Sequence, residues 1–291
     1  MSIYLSTGVF WQESLDEIIQ YCLRHNLNNL ELSSGVRYEP HLLRSVLASQ
    51  DRMNFLVHNY FPPPEEPFVL NLASANSEIL LKSIRLCKQA IDLSCELDAP
   101  FYSVHSGFAF HLTPEMLGDP LTQSTLHDSE HIPRQQAYEI FVDTVRDLAS
   151  YGQTQGVTLL LENNVVSPLY LDGSKHNGLL MSDAEEISRC MDDVSDTNVG
   201  LLLDVGHLKV SANALNFPVD EFINRVGPYV GAIHLSENNG IVDNNQPLSE
   251  THWFLPLLHD FQQLPWIIEV YHLDSSGIEE QISILEHCLS G

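Results

Sequence analysis

Eight short apolar runs, rich in branched and aromatic residues, punctuate the chain near residues 3–7, 27–33, 54–60, 101–106, 157–163, 199–205, 230–236 and 265–271. Each reads as a strand. Stretches with helical spacing lie between them. From Ser14 to Leu23, the residues Leu15, Ile18, Ile19 and Leu23 share one face; from Glu78 to Leu97, Ile79, Leu80, Ile84, Leu86, Ala90, Ile91 and Leu93 recur in the same way. The segments Gln135 to Tyr151, Ser182 to Met191 and Gly277 to Leu289 follow suit, and Ser182 with Glu185 forms a capping-box pattern at a helix start. Repeated strand–helix alternation leaves two α/β architectures, a closed (β/α)8 barrel or an open doubly wound sheet. No GxGxxG or GxxxxGK[ST] follows the first run. The polar residues with chemical potential also sit at the ends of many runs, where a barrel converges them and an open sheet does not. The expectation is therefore a single (β/α)8 barrel domain over residues 1–291, a length usual for that fold.

Four of the runs carry the signal. Thr158-Leu-Leu-Leu closes on Glu162, Gly200-Leu-Leu-Leu on Asp204, Gly231-Ala-Ile on His234 and Trp266-Ile-Ile on Glu269. A buried carboxylate without a partner is costly, and one shared divalent cation would satisfy all four residues. Other runs end in polar residues too: Glu31 after Leu30, His58 after Phe55-Leu-Val, His105 after Tyr102-Ser-Val, and His207 three residues past Asp204. A lone histidine at a strand end is most often a satisfied core residue. Several in register share one face, which packing alone does not require. Mixed oxygen and imidazole ligands fit Mn²⁺, Co²⁺, Zn²⁺ or Mg²⁺, and the lack of thiolate argues against a structural zinc site. One ion is expected. His58 and His105 make a second ion a further expectation, with Glu162 placed to bridge the two.

Charge narrows the partners. Against 39 acidic residues stand 13 basic ones, a net of −26, so the surface repels nucleic acid and anionic membrane at long range. Arg37 is the one basic residue near the second-strand loop, and Lys175 and Lys209 are the lysines on the later loops. The five cysteines form no CxxC pair and all fall in helical segments, which suggests reduced thiols and a cytoplasmic protein. The N-terminal Met-Ser-Ile-Tyr-Leu-Ser-Thr-Gly reads as a first strand rather than a signal peptide. No run approaches membrane-spanning length, and the oligomeric state is left open. Two loops should overhang the mouth of the barrel. One runs from Gly107 to Pro133 with Pro114, Pro120, His127 and His131, and the other contains Pro62-Pro-Pro-Glu-Glu-Pro67.

With these residues in view, the chain resembles the xylose isomerase-like barrel superfamily, which holds sugar isomerases and epimerases, dehydratases and endonuclease IV. The matching segments run in order over nearly the whole chain: Val57-His-Asn-Tyr60 with Leu70-Asn-Leu72, Val104-His-Ser-Gly107, Leu161-Glu-Asn163, Leu203-Asp-Val-Gly-His207, Ile233-His-Leu235 and Ile268-Glu-Val270. Each is weak alone, and six in order are specific. The resemblance implies that Glu162, Asp204, His234 and Glu269 are the core metal ligands. It implies that His207 binds substrate in an epimerase or a further zinc in the nuclease. It also implies that His58 and His105 match additional zinc ligands of the nuclease. Asp243 matches as well, but the family's Asp-x-His stands here as Asp243-Asn244-Asn245, which removes one imidazole from a third zinc site.

The expected activity is isomerisation or epimerisation of a sugar or sugar-like polyol, a small polyhydroxylated carbonyl compound. A metal would polarise its oxygens, and Glu162 and Glu269 would exchange protons with the substrate. His207, Glu31 and Asp243 would bind or orient its hydroxyls. The aromatic residues Phe10, Trp11, Tyr60 and Phe108 are candidates to pack on a sugar face. Two alternatives remain open, a phosphodiesterase of the endonuclease IV kind and a metal-dependent dehydratase. A purely binding role leaves the clustered carboxylates unexplained.

Overall fold

Strands buried on both faces, with side chains that alternate in direction, decide what the sheet encloses. A computed structural model describes residues 2–11, 14–116, 131–171, 178–195 and 197–290; Pro120, His127 and Lys175 lie outside them. Eight parallel strands close on themselves in sequence order: β1 (Ile3–Ser6), β2 (Asn29–Leu32), β3 (Asn54–His58), β4 (Phe101–His105), β5 (Thr158–Glu162), β6 (Val199–Asp204), β7 (Val230–Leu235) and β8 (Trp266–Ile268). Closure through β1 and β8, with Tyr4 paired to Ile267, excludes the open sheet. Tyr4, Leu56, Phe101, Leu160, Leu202, Ala232 and Ile267 form their own buried cluster. They are the inward residues of their strands and fill the barrel floor. Their neighbours along each strand, such as Leu30, Val57, Val104, Leu161, Leu203 and Ile268, join the separate cluster that faces the helices. Burying one such aliphatic side chain is worth about 1.5–3 kcal/mol.

The helices are α1 (Leu15–His25), α2 (Leu43–Ser49), α3 (Ser77–Glu96), α4 (Arg134–Gln155), α5 (Ala184–Val194), α6 (Val205–Leu215), α7 (Val219–Val226) and α8 (Ser275–Ser290). Three of them, α2, α6 and α7, lie outside the helical stretches named from the sequence, although Val219, Phe222, Ile223 and Val226 of α7 recur at helical spacing. The first two differ in cause: α2 is only seven residues long, and α6 begins directly at the end of β6. The capping pattern before α5 is displaced by one residue. Asp183, not Ser182, is the N-cap, and its side chain accepts from the Glu186 amide at 2.9 Å. Ser182 is instead buried, and the Met181 amide donates to the Glu186 carboxylate at 2.7 Å. Asp and Ser cap about equally well, so local sequence does not choose between them.

One irregularity sets the phase of β7. Leu201 pairs with Val230 but Leu202 pairs with Ala232, so Gly231 is an extra residue in the ladder, a bulge. A Cβ at Gly231 would meet Leu160 Cδ2 at 2.8 Å. The bulge turns Ala232, and hence His234 two residues on, to the barrel interior. Above the strands, the loop after β4 pairs with the loop after β5. The Ala109 amide donates to Gly178 O at 2.7 Å and the Leu180 amide to Gly107 O at 3.0 Å. Gly107 is required there, since a Cβ would lie 2.5 Å from Ala73 Cβ and 2.9 Å from Ala73 N. No helix among the described residues is long and apolar enough to cross a membrane. All five cysteines are free thiols, with Cys22, Cys87 and Cys190 buried.

Candidate metal centre

One pleat above the floor, every inward position from β2 to β8 carries a polar side chain. Glu31 precedes Leu32 on β2, His58 stands two residues past Leu56, Ser103 and His105 follow Phe101, Glu162 follows Leu160, Asp204 follows Leu202, His234 follows Ala232 and Glu269 follows Ile267. The alternation of strand side chains therefore delivers the whole set to the C-terminal mouth. Glu162, Asp204, His234 and Glu269 each offer one ligand atom, and these atoms lie within 4.8 Å of one another. His58, His105 and Glu162 form a second such group, and Glu31, His58 and His234 a third.

Glu162 is the hub. Its carboxylate lies 3.0 Å from His105 Nε2, 3.4 Å from His58 Nε2, 3.4 Å from His207 Nδ1 and 3.7 Å from His234 Nδ1. Both of its oxygens are buried without a hydrogen-bond donor in good geometry, as are Asp204 Oδ2 and Glu31 Oε1. Such orphaned anionic atoms cost free energy, and a divalent cation among them removes that cost. The residues fit an ion of this kind in donor type, number and convergence. Glu162, Asp204, His234 and Glu269 would hold it, and His58 and His105, sharing Glu162, would hold a second.

Each candidate ligand is braced. Asp204 is also the N-cap of α6: its Oδ1 accepts from the His207 amide at 2.7 Å while Oδ2 points to the cluster. Asn163 clasps the same residue, donating to Asp204 O at 3.0 Å and accepting from Asp204 N at 2.8 Å. His58 Nδ1 is 3.0 Å from Ser103 Oγ, which leaves its Nε2 for the site. His207 Nδ1 is 2.8 Å from Asn163 O, and its Nε2 is 3.2 Å from Asp243. Asn238 donates to Gly206 O at 2.9 Å and to Asp243 at 3.2 Å. Gly206 has no room for a side chain, since a Cβ would meet Ser236 Oγ at 2.6 Å and Asp243 Oδ1 at 3.0 Å. Asn163 and Ser103 escape a search for charged strand ends. Their signal is positional: Asn163 follows Glu162 directly, and Ser103 shares the inward phase of His105.

Glu31 departs from the expectation that it orients substrate hydroxyls. It is fully buried, and its Oε2 lies 2.9 Å from His234 Nε2, on the far side of the ring from Glu269, which sits 2.9 Å from Nδ1. It fixes the ring and leaves Nδ1 facing the cluster, a carboxylate–histidine pairing that supports metal ligands. Glu31→Gln is expected to weaken divalent-ion affinity about 10- to 100-fold with the barrel intact, measured by competition with a fluorescent chelator; unchanged affinity would remove Glu31 from this role. Among the aromatics, Phe10 is buried against Tyr21 and belongs to the core rather than to a sugar face. The Tyr60 hydroxyl accepts from the Phe68 amide at 2.8 Å, and Phe108 stacks on Phe110. Lys209 is engaged with Glu237 at 2.5 Å and Asn238 O at 2.7 Å. A groove of about 830 Å³ on the outside of the barrel, lined by residues such as Leu42, Pro63 and Leu86, shares no residue with the cluster.

Burial and charge divide the titrating groups. Burial pushes the Glu269 carboxyl up to about 7, against the pull of His234. Burial also opposes ionisation of Glu162, but the fields of His105 and His58 outweigh it and hold this carboxyl well below the usual range. Burial lowers His58 to about 4, so it stands neutral with a lone pair to offer. For His234, burial is outweighed by Glu31 and Glu269, and its affinity for protons rises well above that of a free imidazole. In the metal-free protein, His234 and Glu269 thus hold protons near neutrality, and an ion must displace them. Metal affinity is therefore expected to rise with pH through about 7, by about tenfold per unit for each proton displaced. Calorimetry in buffers of different ionisation enthalpy counts those protons; binding with no proton release and no pH slope from 6 to 8 would contradict it.

Residues 17–287 match the family described as xylose isomerase-like TIM barrel. The chain belongs to this family. Solved structures of similar fold agree with the membership. A D-tagatose 3-epimerase-like protein superposes with a TM-score of 0.74 at 21% identity, covering 100% of this chain and 97% of that one. The 3-keto-D-glucoside 4-epimerase YcjR from E. coli, in its apo form, gives 0.68 at 13% identity with 100% of both chains covered. The IOLI protein with a binding zinc atom gives 0.67 at 13% identity, covering 99% of this chain and 96% of that one. In sequence, this xylose isomerase-like barrel is 22% identical over 254 residues to an uncharacterized protein of Methanocaldococcus jannaschii, covering 86% of this chain and 75% of that protein.

Proposed function

We propose that this barrel is a divalent-metal-dependent isomerase or epimerase of a small polyhydroxylated carbonyl compound. The observation that carries the reading is the pair Glu162 and Glu269, two carboxylates converging with Asp204 and His234 in one buried cluster. Two carboxylates at one ion can serve as the base and the acid of a proton transfer. A bound ion would supply Lewis-acid polarisation of the substrate's carbonyl and hydroxyl oxygens. The chain does the rest. Glu162 accepts a proton from the carbon beside the carbonyl, and Glu269 returns one. Asp204 and His234 hold the ligand frame, while His207, braced by Asp243 at 3.2 Å, orients a hydroxyl. Proteins of like fold named D-psicose 3-epimerase and L-ribulose 3-epimerase support the substrate class.

A second reading, a zinc phosphodiesterase acting on abasic DNA, draws on the His58–His105–Glu162 group. Two features weigh against it. Asn245 stands where a third site needs an imidazole, and its amide donates to Glu269 O at 2.9 Å as a buried structural contact. The net charge of −26 opposes a polyanion. A dehydratase would share the proton abstraction and differ by losing hydroxide. Solvent deuterium incorporation into a panel of ketoses, aldoses and hydroxy-keto acids, run beside abasic-site DNA and with product analysis for dehydration, tests all three. The expected result is metal-dependent exchange at a carbon beside the carbonyl with the DNA intact. Cleaved DNA with no exchange in any small molecule would overturn the proposal.

A further inference from the structure

Most of the large apolar side chains that the described residues leave in solvent lie at the C-terminal ends of strands. Trp11 is 66% exposed and Tyr271 50%, and Tyr38, Leu169, Ile241 and Val242 join them; Leu81 on α3 is the exception among the described residues. All six lie on segments that follow strands β1, β2, β5, β7 and β8, on the C-terminal side of the barrel, with Tyr38 set apart in the outer groove. Scattered singly, such residues need no explanation; gathered at a site opening, they mark a binding surface.

The loops after β1 and β8 form one wall of that opening. The His272 amide donates to Gly8 O at 3.2 Å, the Leu273 amide to Val9 O at 2.8 Å, and His272 Nδ1 lies 3.3 Å from Phe10 O. The Trp11 indole stacks on the His272 ring, with centres 4.6 Å apart and planes at 26°. His272 holds a left-handed φ of 57° in that position, uncommon for any residue but glycine. Tyr271 lies along Gly8, where a Cβ would meet its Cε1 at 3.0 Å. One indole face is therefore supported by the imidazole, and the other stands in solvent. Tyr271 and His272 are two and three residues beyond Glu269, and three residues of chain reach at most about 10 Å. The wall thus begins close to the buried acid–base pair and extends away from it to the rim.

We propose that this wall is a second sugar subsite, so that the substrate is a glycoside: one ring at Glu162 and Glu269, the next stacked on Trp11 and Tyr271. The inference rests on the isomerase or epimerase reading and extends it. A pyranose presents C–H groups on its faces and hydroxyls around its edge. A flat aromatic face gains dispersion and C–H contacts with the former while the latter stay in water. Aromatic residues serve such half-wet boundaries well. A single ring held by side chains that are almost wholly buried leaves the rim indole unused. A nucleotide could stack there too, but it would carry phosphate into the field of a chain of net charge −26.

The test is binding of a non-reacting disaccharide, maltose or cellobiose, to the metal-loaded protein, followed by tryptophan fluorescence with glucose as the single-ring control. Trp266 is fully buried and Trp253 packs on Phe254 at 5.2 Å, so Trp11 is the solvent-facing reporter. Disaccharide is expected to bind about tenfold more tightly than glucose and to shift the emission, consistent with the worth of one stacked ring. Trp11→Ala should remove most of that tenfold gain, and Trp11→Phe should retain most of it. Calorimetry gives the affinities of the variants independently of the indole signal. Equal affinity for one ring and two in the wild type, or an undiminished gain in Trp11→Ala, would overturn the subsite. If no sugar exchanges deuterium yet the Trp11-dependent gain is present, the reaction reading falls and the subsite stands. If free sugars exchange and no second ring adds affinity, the reaction reading stands and the subsite falls.

Discussion

Glu162→Gln is expected to strip the protein of bound divalent ion and to cut proton-exchange turnover by at least the 10²–10⁴-fold that one acid–base group typically provides. Glu162 and His234 each touch four other titrating groups of the site. The Glu162 carboxylate lies within 3.0–3.7 Å of His105, His58, His207 and His234, and it belongs to both the Asp204–His234–Glu269 group and the His58–His105 group. An amide keeps the shape and removes the charge, so the loss reads as lost electrostatics rather than lost packing. Glu269→Gln is the informative partner: it leaves Glu162, Asp204 and His234 in place, so more metal should remain while turnover falls by a similar factor. Elemental analysis per chain and deuterium exchange on the same preparations separate the two effects. Wild-type metal content and rate in Glu162→Gln would remove the residue from the centre of the site.

Chelation is expected to lower the melting temperature by roughly 8–16 °C. Without an ion, Glu162 and Asp204 keep buried oxygens that no donor satisfies. An ion present at a thousand times its Kd stabilises the folded state by about 4 kcal/mol, and in a chain of this size each kcal/mol moves the midpoint by about 2–4 °C. Differential scanning calorimetry with EDTA, then with each of Mn²⁺, Co²⁺, Zn²⁺ and Mg²⁺ restored, measures both the shift and the preferred ion. A shift under about 2 °C for every ion would mean that the cluster holds none of them tightly.

Much of this candidate site is legible in the sequence, for a physical reason. A strand that is apolar for three residues and then ends on Glu, Asp or His announces that its last inward position meets something other than hydrocarbon. Glu162, Asp204, His234 and Glu269 all had that form, and the eightfold alternation placed them on one rim. What stayed hidden depends on contacts between distant strands. Glu31 looks like any strand-end carboxylate, and only the barrel's closure shows that it backs His234 from 203 positions away. The bulge at Gly231 reads as an ordinary strand start, yet it sets the phase that turns His234 inward. The displaced cap at Asp183 was hidden for the opposite reason, because two adjacent residues were equally good candidates on local grounds alone. Asn163 and Ser103 are uncharged, and their importance lies in the partners they hold.

Asp204 divides its two oxygens between a helix and the cluster, and this makes the protein its own indicator. The His207 amide that rests on Oδ1 at 2.7 Å is one backbone proton away from any charge placed on Oδ2. Its nitrogen resonance should therefore move when the centre fills, before and without any substrate, whereas amides at the far end of α6 should hardly respond. One peak in a two-dimensional spectrum would then count occupied molecules in solution, ion by ion.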